Sequence, residues 1–122
     1  MNPEEKIQNC LYYFIESVST AAAQASLAID LTGGDYVSWE LINDLVDHGD
    51  VLLRSPISPA TDQEKAKIAH FLELVRKLPT DIQESSIDTL NRTEWRECRT
   101  EAKKLLEDLS RLVGLNKTYF QA

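Results

Sequence analysis

The chain is predicted to form an all-α fold, an up-down helical bundle of four main helices plus one short helix, with residues 1–122 as a single domain. Three observations predict this class. Apolar residues recur at spacings of three and four, the period of a helix buried along one side. Helix-capping signals precede several of these stretches. The sustained alternation of apolar and polar residues that marks a strand does not occur in the sequence.

The first predicted helix begins at Asn2 and Pro3 and ends near Gly33 and Gly34. Asn2 is a favoured N-cap, Pro3 suits the first helical position, and paired glycines suit a C-terminal turn. A single arc of the helical wheel carries the apolar residues Ile7, Cys10, Leu11, Phe14, Ile15, Val18, Ala21, Ala22, Ala25, Ala28 and Ile29. A helix of about 28 residues would be about 42 Å long, so it needs long neighbours to cover its apolar side.

The second predicted helix begins after Asp35 or Ser38 and runs to about Leu53. Its apolar side consists of Leu41, Ile42, Leu45, Val46, Leu52 and Leu53. Gly49 should weaken the helix by about 1 kcal/mol relative to alanine, and a break or bend is an open alternative there. The prolines at 56 and 59 exclude a helix interior and end this part of the pattern.

Two capping boxes and a regular apolar seam define the remaining helices. Thr61 and Glu64 open a third helix that is expected to stop at Leu78-Pro79. A second capping box, residues 80–83, opens a short helix, and a fifth helix should run from Thr93 to Val113 with Gly114 as its cap. The predicted seam of this last helix comprises Trp95, Cys98, Ala102, Leu105, Leu109 and Leu112.

Charge is unevenly distributed along the chain. Residues 1–53 contain nine acidic residues against Lys6 alone, a net −8, whereas the whole chain carries −7 at pH 7. Nucleic acid and anionic membranes are bound by Lys and Arg that neutralise phosphates, so neither is an expected partner. No stretch of the sequence approaches the roughly 18 apolar residues of a membrane span. A basic protein surface is the expected partner.

The acidic residues of the second predicted helix share one face. With Glu40 placed at 0° on the wheel, Asp44 and Asp47 fall close to it and the apolar side lies opposite. Trp39 lies at the edge of this face, where a buried position is favoured over an exposed interface anchor. The predicted partner-binding residues are Asp35, Trp39, Glu40, Asn43, Asp44, Asp47 and Asp50.

The last predicted helix carries a complementary basic face. Arg96, Arg99 and Lys103 lie in one line, with Arg92 above them if the helix extends that far. This line could pair with the acidic face within one molecule or across a dimer, or both could be solvated. The sequence alone does not distinguish these arrangements.

Recognisable catalytic motifs are not present in the sequence. Gly33-Gly34 lacks the context of a phosphate-binding loop and is interpreted as a turn. Asp44, Asp47 and His48 are close enough on one helix to suggest a divalent metal, but they are too few for a di-iron bundle, and a solvated face is the expectation. The prediction is therefore a non-enzyme with no metal and no cofactor.

Three functional hypotheses follow. The leading one is a non-catalytic protein-binding module, inhibitor-, immunity- or antitoxin-like, whose acidic face docks a basic partner such as a toxin or nuclease. The alternative is a homo-oligomeric structural or adaptor bundle, for example a homodimer, formed through the uncharged face of the first helix. The third is a metal-dependent enzyme. Two widely separated cysteines and a start unlike a signal peptide predict a cytoplasmic protein.

Overall fold

The computed structural model describes residues 2–32, 37–80 and 85–121. Within these ranges it contains helices and no strand, which confirms the predicted all-α class. The helices are α1 (Pro3–Ala22), α2 (Ala25–Thr32), α3 (Val37–Arg54), α4 (Asp62–Val75), α5 (Ser86–Leu90), α6 (Thr93–Asp108) and α7 (Ser110–Gln121). The described residues thus form more helices than predicted, because the first and last predicted helices are each interrupted.

The first predicted helix is divided at residues 23 and 24. Its start is as expected, since the Asn2 side chain accepts a hydrogen bond from the Glu5 N–H at 2.8 Å. The expectation of a single helix to Gly33 is wrong, because Ala23 is extended (φ −78°, ψ 157°). Arg99 of α6 donates from Nε to the Ala23 carbonyl at 3.0 Å, so a distant side chain satisfies a carbonyl at the break.

Gly49 lies inside α3, which continues to Arg54 without the break that was left open. The glycine is buried where α3 meets its neighbours, and a Cβ placed there would lie 2.8 Å from Leu72 Cδ1 and 3.1 Å from Phe14 Cε1. Gly49 therefore permits α1 and α4 to approach α3 closely. The cost in helix propensity is offset by this packing.

The capping box of α4 is confirmed by its hydrogen bonds. The Thr61 hydroxyl accepts from the Glu64 N–H at 3.1 Å, and Glu64 Oε1 accepts from the Thr61 N–H at 2.8 Å. The helix ends at Val75, three residues before the predicted stop at Leu78, and is followed by a turn. Glu64 also binds Arg111 of α7, which donates to the Pro59 carbonyl at 2.7 Å.

The last part of the chain differs from its predicted boundaries. The second capping box falls mainly on residues 81–84, outside the described residues, and α5 begins at Ser86 with Ser85 as its N-cap. The predicted helix from Thr93 is interrupted at Leu109, and α7 continues beyond Gly114. Gly114 is therefore an interior residue of α7, and its assignment as a cap is wrong.

The four longest helices surround a common core. α1 packs against α3 and α6, and α4 packs against the same two helices from the opposite side. The predicted seam on α6 and α7 is confirmed, because all six of its residues are buried. The largest fully buried side chains include Phe14, Leu11, Leu45, Leu52, Ile68 and Leu72. Among the described helices, none has an apolar stretch of the length needed to cross a membrane.

Candidate functional site

Three carboxylates form an exposed line along α3, which we call the acidic stripe: Glu40, Asp44 and Asp47. They are spaced by four and three residues, so they share one face of the helix, opposite the buried Leu45 and Leu52. None of the three forms a salt bridge with another residue that the structure describes. Their negative charge is therefore open to solvent or to a partner.

The other acidic and amide residues predicted for this site behave differently. Asp50 is paired, because its carboxylate lies 2.8 Å from Arg76 and 3.4 Å from Arg54. Asn43 is half-buried beside the stripe, and Asp35 lies outside the described residues. The available negative charge is thus concentrated between residues 40 and 47.

Trp39 lies at the N-terminal end of the acidic stripe and is 49% exposed. The sequence pattern favoured a buried edge position for this residue, and that expectation is wrong. Trp95, by comparison, is 3% exposed and donates from Nε1 to the Pro79 carbonyl at 2.8 Å. A large aromatic surface therefore remains uncovered next to unpaired carboxylates.

The basic line on α6 does not neutralise the acidic stripe. α6 packs against α1 and α4, and α3 is not among its neighbours in the described ranges. Arg99 is directed to the Ala23 and Leu90 carbonyls, at 3.0 and 3.4 Å, and Arg96 and Lys103 are exposed. Of the arrangements that the sequence left open, pairing of these two faces within one molecule is not observed.

A groove of about 490 Å³ lies alongside the acidic stripe, between α1 and α3. Its walls are Tyr13, Glu16, Ser17 and Thr20 of α1, Leu41, Asp44 and His48 of α3, and Leu31 of α2. Its two carboxyl side chains come from opposite walls, Glu16 from α1 and Asp44 from α3. Among the residues that the structure describes, neither lysine nor arginine lines the groove, so its described walls have the same sign of charge as the stripe.

One end of the groove is an aromatic pair. The rings of Tyr13 and His48 stack with centroids 5.6 Å apart and planes inclined by 29°, and Tyr13 is 54% exposed. His48 Nδ1 lies 2.8 Å from the Asp44 carbonyl oxygen. Because a carbonyl oxygen only accepts, Nδ1 is the donor in this contact, which holds the His48 ring against the preceding turn of α3.

The proposed metal ligands do not converge. Asp44 and His48 line the groove, whereas Asp47 is not among the groove's lining residues. The described residues contain no group of three or more His, Cys, Asp or Glu placed to hold a metal ion. Among the described residues, Asp44 and His48 thus have no third ligand placed beside them of the kind that a stable metal site requires.

The two cysteines are buried, and neither of them lines the groove. Burial raises the pKa of Cys10 to about 11 and that of Cys98 to about 12, in the latter against a lowering by Arg99. Both thiols are therefore protonated at neutral pH, and a thiol in that state is a poor nucleophile. Cys10 instead donates from Sγ to the His48 carbonyl at 3.2 Å.

Sequence reasoning found the α3 side of this site and missed the α1 side. The predicted partner-binding residues all lie between residues 35 and 50, so Tyr13 and Glu16 of α1 were not among them. The signal in the sequence is an aromatic residue three positions before an acidic one on a single helix face. This local pattern does not show how α1 is aligned along α3, and that alignment is what places Tyr13 against His48.

Comparisons of this chain with protein-family models, with curated proteins and with solved structures found no match.

Proposed function

We propose that this protein is a non-catalytic binding module that docks a basic partner through the outer face of α3, in the manner of an inhibitor, immunity protein or antitoxin. The observation that carries the proposal is the combination of three unpaired carboxylates with a half-exposed tryptophan on one helix. Clustered charge of one sign steers association and selects a complementary surface. Tryptophan is among the residues most enriched at the energetic centres of interfaces.

Two carboxylates elsewhere in the molecule are paired with arginines, and the contrast with the acidic stripe supports this proposal. Asp50 is paired with Arg76, and Glu64 is paired with Arg111, so those carboxylates stabilise the fold. The carboxylates of the acidic stripe form no such pair with any residue that the structure describes. Like charges three and four residues apart destabilise a helix slightly, so the stripe is tolerated at a small cost that a binding function would explain.

A basic partner such as a toxin or nuclease fits this surface, because the cleft that binds phosphates in such a protein is positively charged. A reducing compartment such as the cytoplasm suits the protein, since Cys10 and Cys98 are both free.

The test is affinity capture from the native host followed by binding kinetics. The tagged protein is used beside a triple charge reversal, Glu40→Lys, Asp44→Lys and Asp47→Lys. The expected result is capture of a basic protein whose association rate falls by at least about tenfold on reversal, with the difference shrinking as salt is added.

A control with the same change in net charge uses exposed acids of α6: Glu94→Lys, Glu97→Lys and Glu107→Lys. This variant should retain most of the association rate, because its altered charges lie on a helix that does not adjoin α3. An equal loss in both variants, or no loss on reversal of the stripe, would contradict the proposal.

A homo-oligomeric structural or adaptor bundle is the second candidate. It is favoured by two leucines one turn apart on α2, Leu27 and Leu31, which are 51% and 61% exposed. Self-association through this surface predicts a mass that rises with concentration in sedimentation experiments and returns to that of a monomer in the Leu27→Glu variant. A mass of 13.8 kDa at all concentrations would exclude it.

A further inference from the structure

We infer that the groove between α1 and α3 receives an arginine side chain of the basic partner, an inference that rests on the proposed function and specifies which group is recognised. The groove adjoins the acidic stripe and shares Asp44 with it. A partner that covers the stripe therefore lies over the mouth of the groove.

The size of the groove suits one side chain with its adjoining backbone. The α1 wall extends from residue 13 to residue 20 and the α3 wall from residue 48 back to residue 41. Since Tyr13 stacks on His48, the two walls run antiparallel from that pair, for about 10 Å at 1.5 Å per residue. This length corresponds to about three residues of extended chain, so the groove takes a short segment and not a whole helix.

Its chemistry calls for a cationic donor. Glu16 and Asp44 offer carboxylate oxygens from opposite walls of the groove. A side chain with several N–H donors and no acceptor complements this set. Leu31 and Leu41 supply apolar contacts for the methylene groups behind such a head group.

Arginine fits better than lysine for two reasons. Its planar guanidinium has five donors in a fork, which can address carboxylates on two walls together, whereas an ammonium group is a compact point charge. The plane can also stack on Tyr13, whose ring is 54% exposed beside His48. An arginine side chain can therefore contact the aromatic end of the groove by stacking, whereas a lysine side chain has no planar group to stack there.

The test uses the full ¹⁵N-labelled chain and three capped tripeptides, glycine-X-glycine, in which X is arginine, lysine or the uncharged isostere citrulline. Amide shifts are followed by NMR during each titration. We expect saturable shifts confined to residues 13–20, to Leu31 and to residues 41–48. The citrulline peptide should bind at least about tenfold more weakly than the arginine peptide, because it lacks the charge.

Three variants separate the groove from the stripe. Glu16→Gln and Tyr13→Ala should each weaken the arginine peptide by about fivefold, in line with a partly exposed ion pair or a cation–π contact. Glu40→Gln, which removes a carboxylate of the stripe outside the groove, should change its affinity less than about twofold. Circular dichroism melting of each variant verifies that the fold is retained.

Shifts scattered over the surface, equal binding of the citrulline peptide, or lysine bound as tightly as arginine would each overturn the inference. Its failure is distinguishable from that of the proposed function. If reversal of Glu40 and Asp47 slows the captured partner while Tyr13→Ala and Glu16→Gln do not, the docking face stands and the arginine pocket falls. If the arginine peptide binds the groove but no basic partner is found, the reverse holds.

Discussion

The two tryptophans lie in two regions of the molecule that differ in how far their aromatic side chains are covered and their polar groups are paired. Around Trp95, the indole is covered and its N–H is bonded to the Pro79 carbonyl. Around Trp39, the indole is half exposed and the neighbouring carboxylates have no ionic partner among the described residues. The covered region uses its polar groups to hold helices together. The open region leaves them available for another molecule.

Carboxylates show the same contrast. Glu64 is 8% exposed, caps α4 and binds Arg111 of α7, so it connects two distant parts of the chain. Asp44 lies on an outer helix face with only solvent and the groove before it. Burying a carboxylate costs desolvation free energy, so the buried Glu64 is hydrogen-bonded and ion-paired. Asp44, which has no ionic partner among the described residues, lies at the surface, where water solvates it.

The largest expected change in stability is the difference between alanine substitutions of the two tryptophans. Trp95→Ala should lower the free energy of unfolding by about 3–5 kcal/mol, since it leaves a cavity and an unsatisfied carbonyl. Trp39→Ala should change it by less than about 0.5 kcal/mol, as for other exposed substitutions. Urea unfolding of both variants measures the difference. A comparable loss in both would mean that Trp39 is part of the packed fold.

Substitution of two glycines tests how closely the buried side of α3 is packed against α1 and α4. Gly49→Ala should destabilise by about 1–2 kcal/mol net, because crowding of Leu72 and Phe14 exceeds the gain in helix propensity. Gly114→Ala is the matched control, since its Cβ would enter open space, and it should stabilise by up to about 1 kcal/mol. Thermal unfolding of the pair should therefore give shifts of opposite sign, and equal signs would argue against close packing at Gly49.

Ionisation of Glu64 should make the free energy of unfolding depend on pH. Burial alone would raise its pKa, but hydrogen bonds from Arg111 and Thr61 together with the Arg111 charge outweigh burial and lower the pKa below the usual 4.5. A lowered carboxyl pKa adds stability above the unfolded value, and that stability is lost as pH falls below 4.5 through the folded value.

The variant Glu64→Gln should therefore be less stable than the wild type by about 1 kcal/mol at pH 7, the usual worth of a cap or a charged hydrogen bond, and should approach it at acid pH. Urea unfolding at both pH values measures this convergence. Glu73→Gln, an exposed change on the same helix, is the control and should be neutral throughout. A difference between Glu64→Gln and wild type that does not vary with pH would remove the ionic role assigned to Glu64.

The smallest effect concerns the open region. Asp44→Asn removes repulsion with Glu40 and Asp47, and should stabilise the protein by about 0.2–0.5 kcal/mol per pair at low salt, with no gain at high salt. Asp50→Asn should act in the opposite direction, because Asp50 is paired with Arg76. Thermal melts at two salt concentrations distinguish the two. Destabilisation by Asp44→Asn would mean that the stripe is not free.

The features that depend on neighbours within one turn of helix could be predicted from the sequence. Apolar spacing predicted the helical class and the buried seam from Trp95 to Leu112, because a helix repeats every 3.6 residues whatever it packs against. The caps at Asn2 and Thr61 were predictable for the same reason, since each side chain bonds an N–H three residues away. The exposed line from Glu40 to Asp47 also follows from spacing alone.

The features that depend on residues far apart in the chain could not be predicted in this way and become visible in the folded structure. The break at Ala23 involves Arg99, the pairing of Asp50 involves Arg76, and the groove exists because Tyr13 meets His48. Trp39 is exposed because no described helix covers that edge of α3, which its own helical position does not reveal. Helical periodicity states which side of a helix is apolar, whereas the register between helices depends on how all of those sides fill a common core.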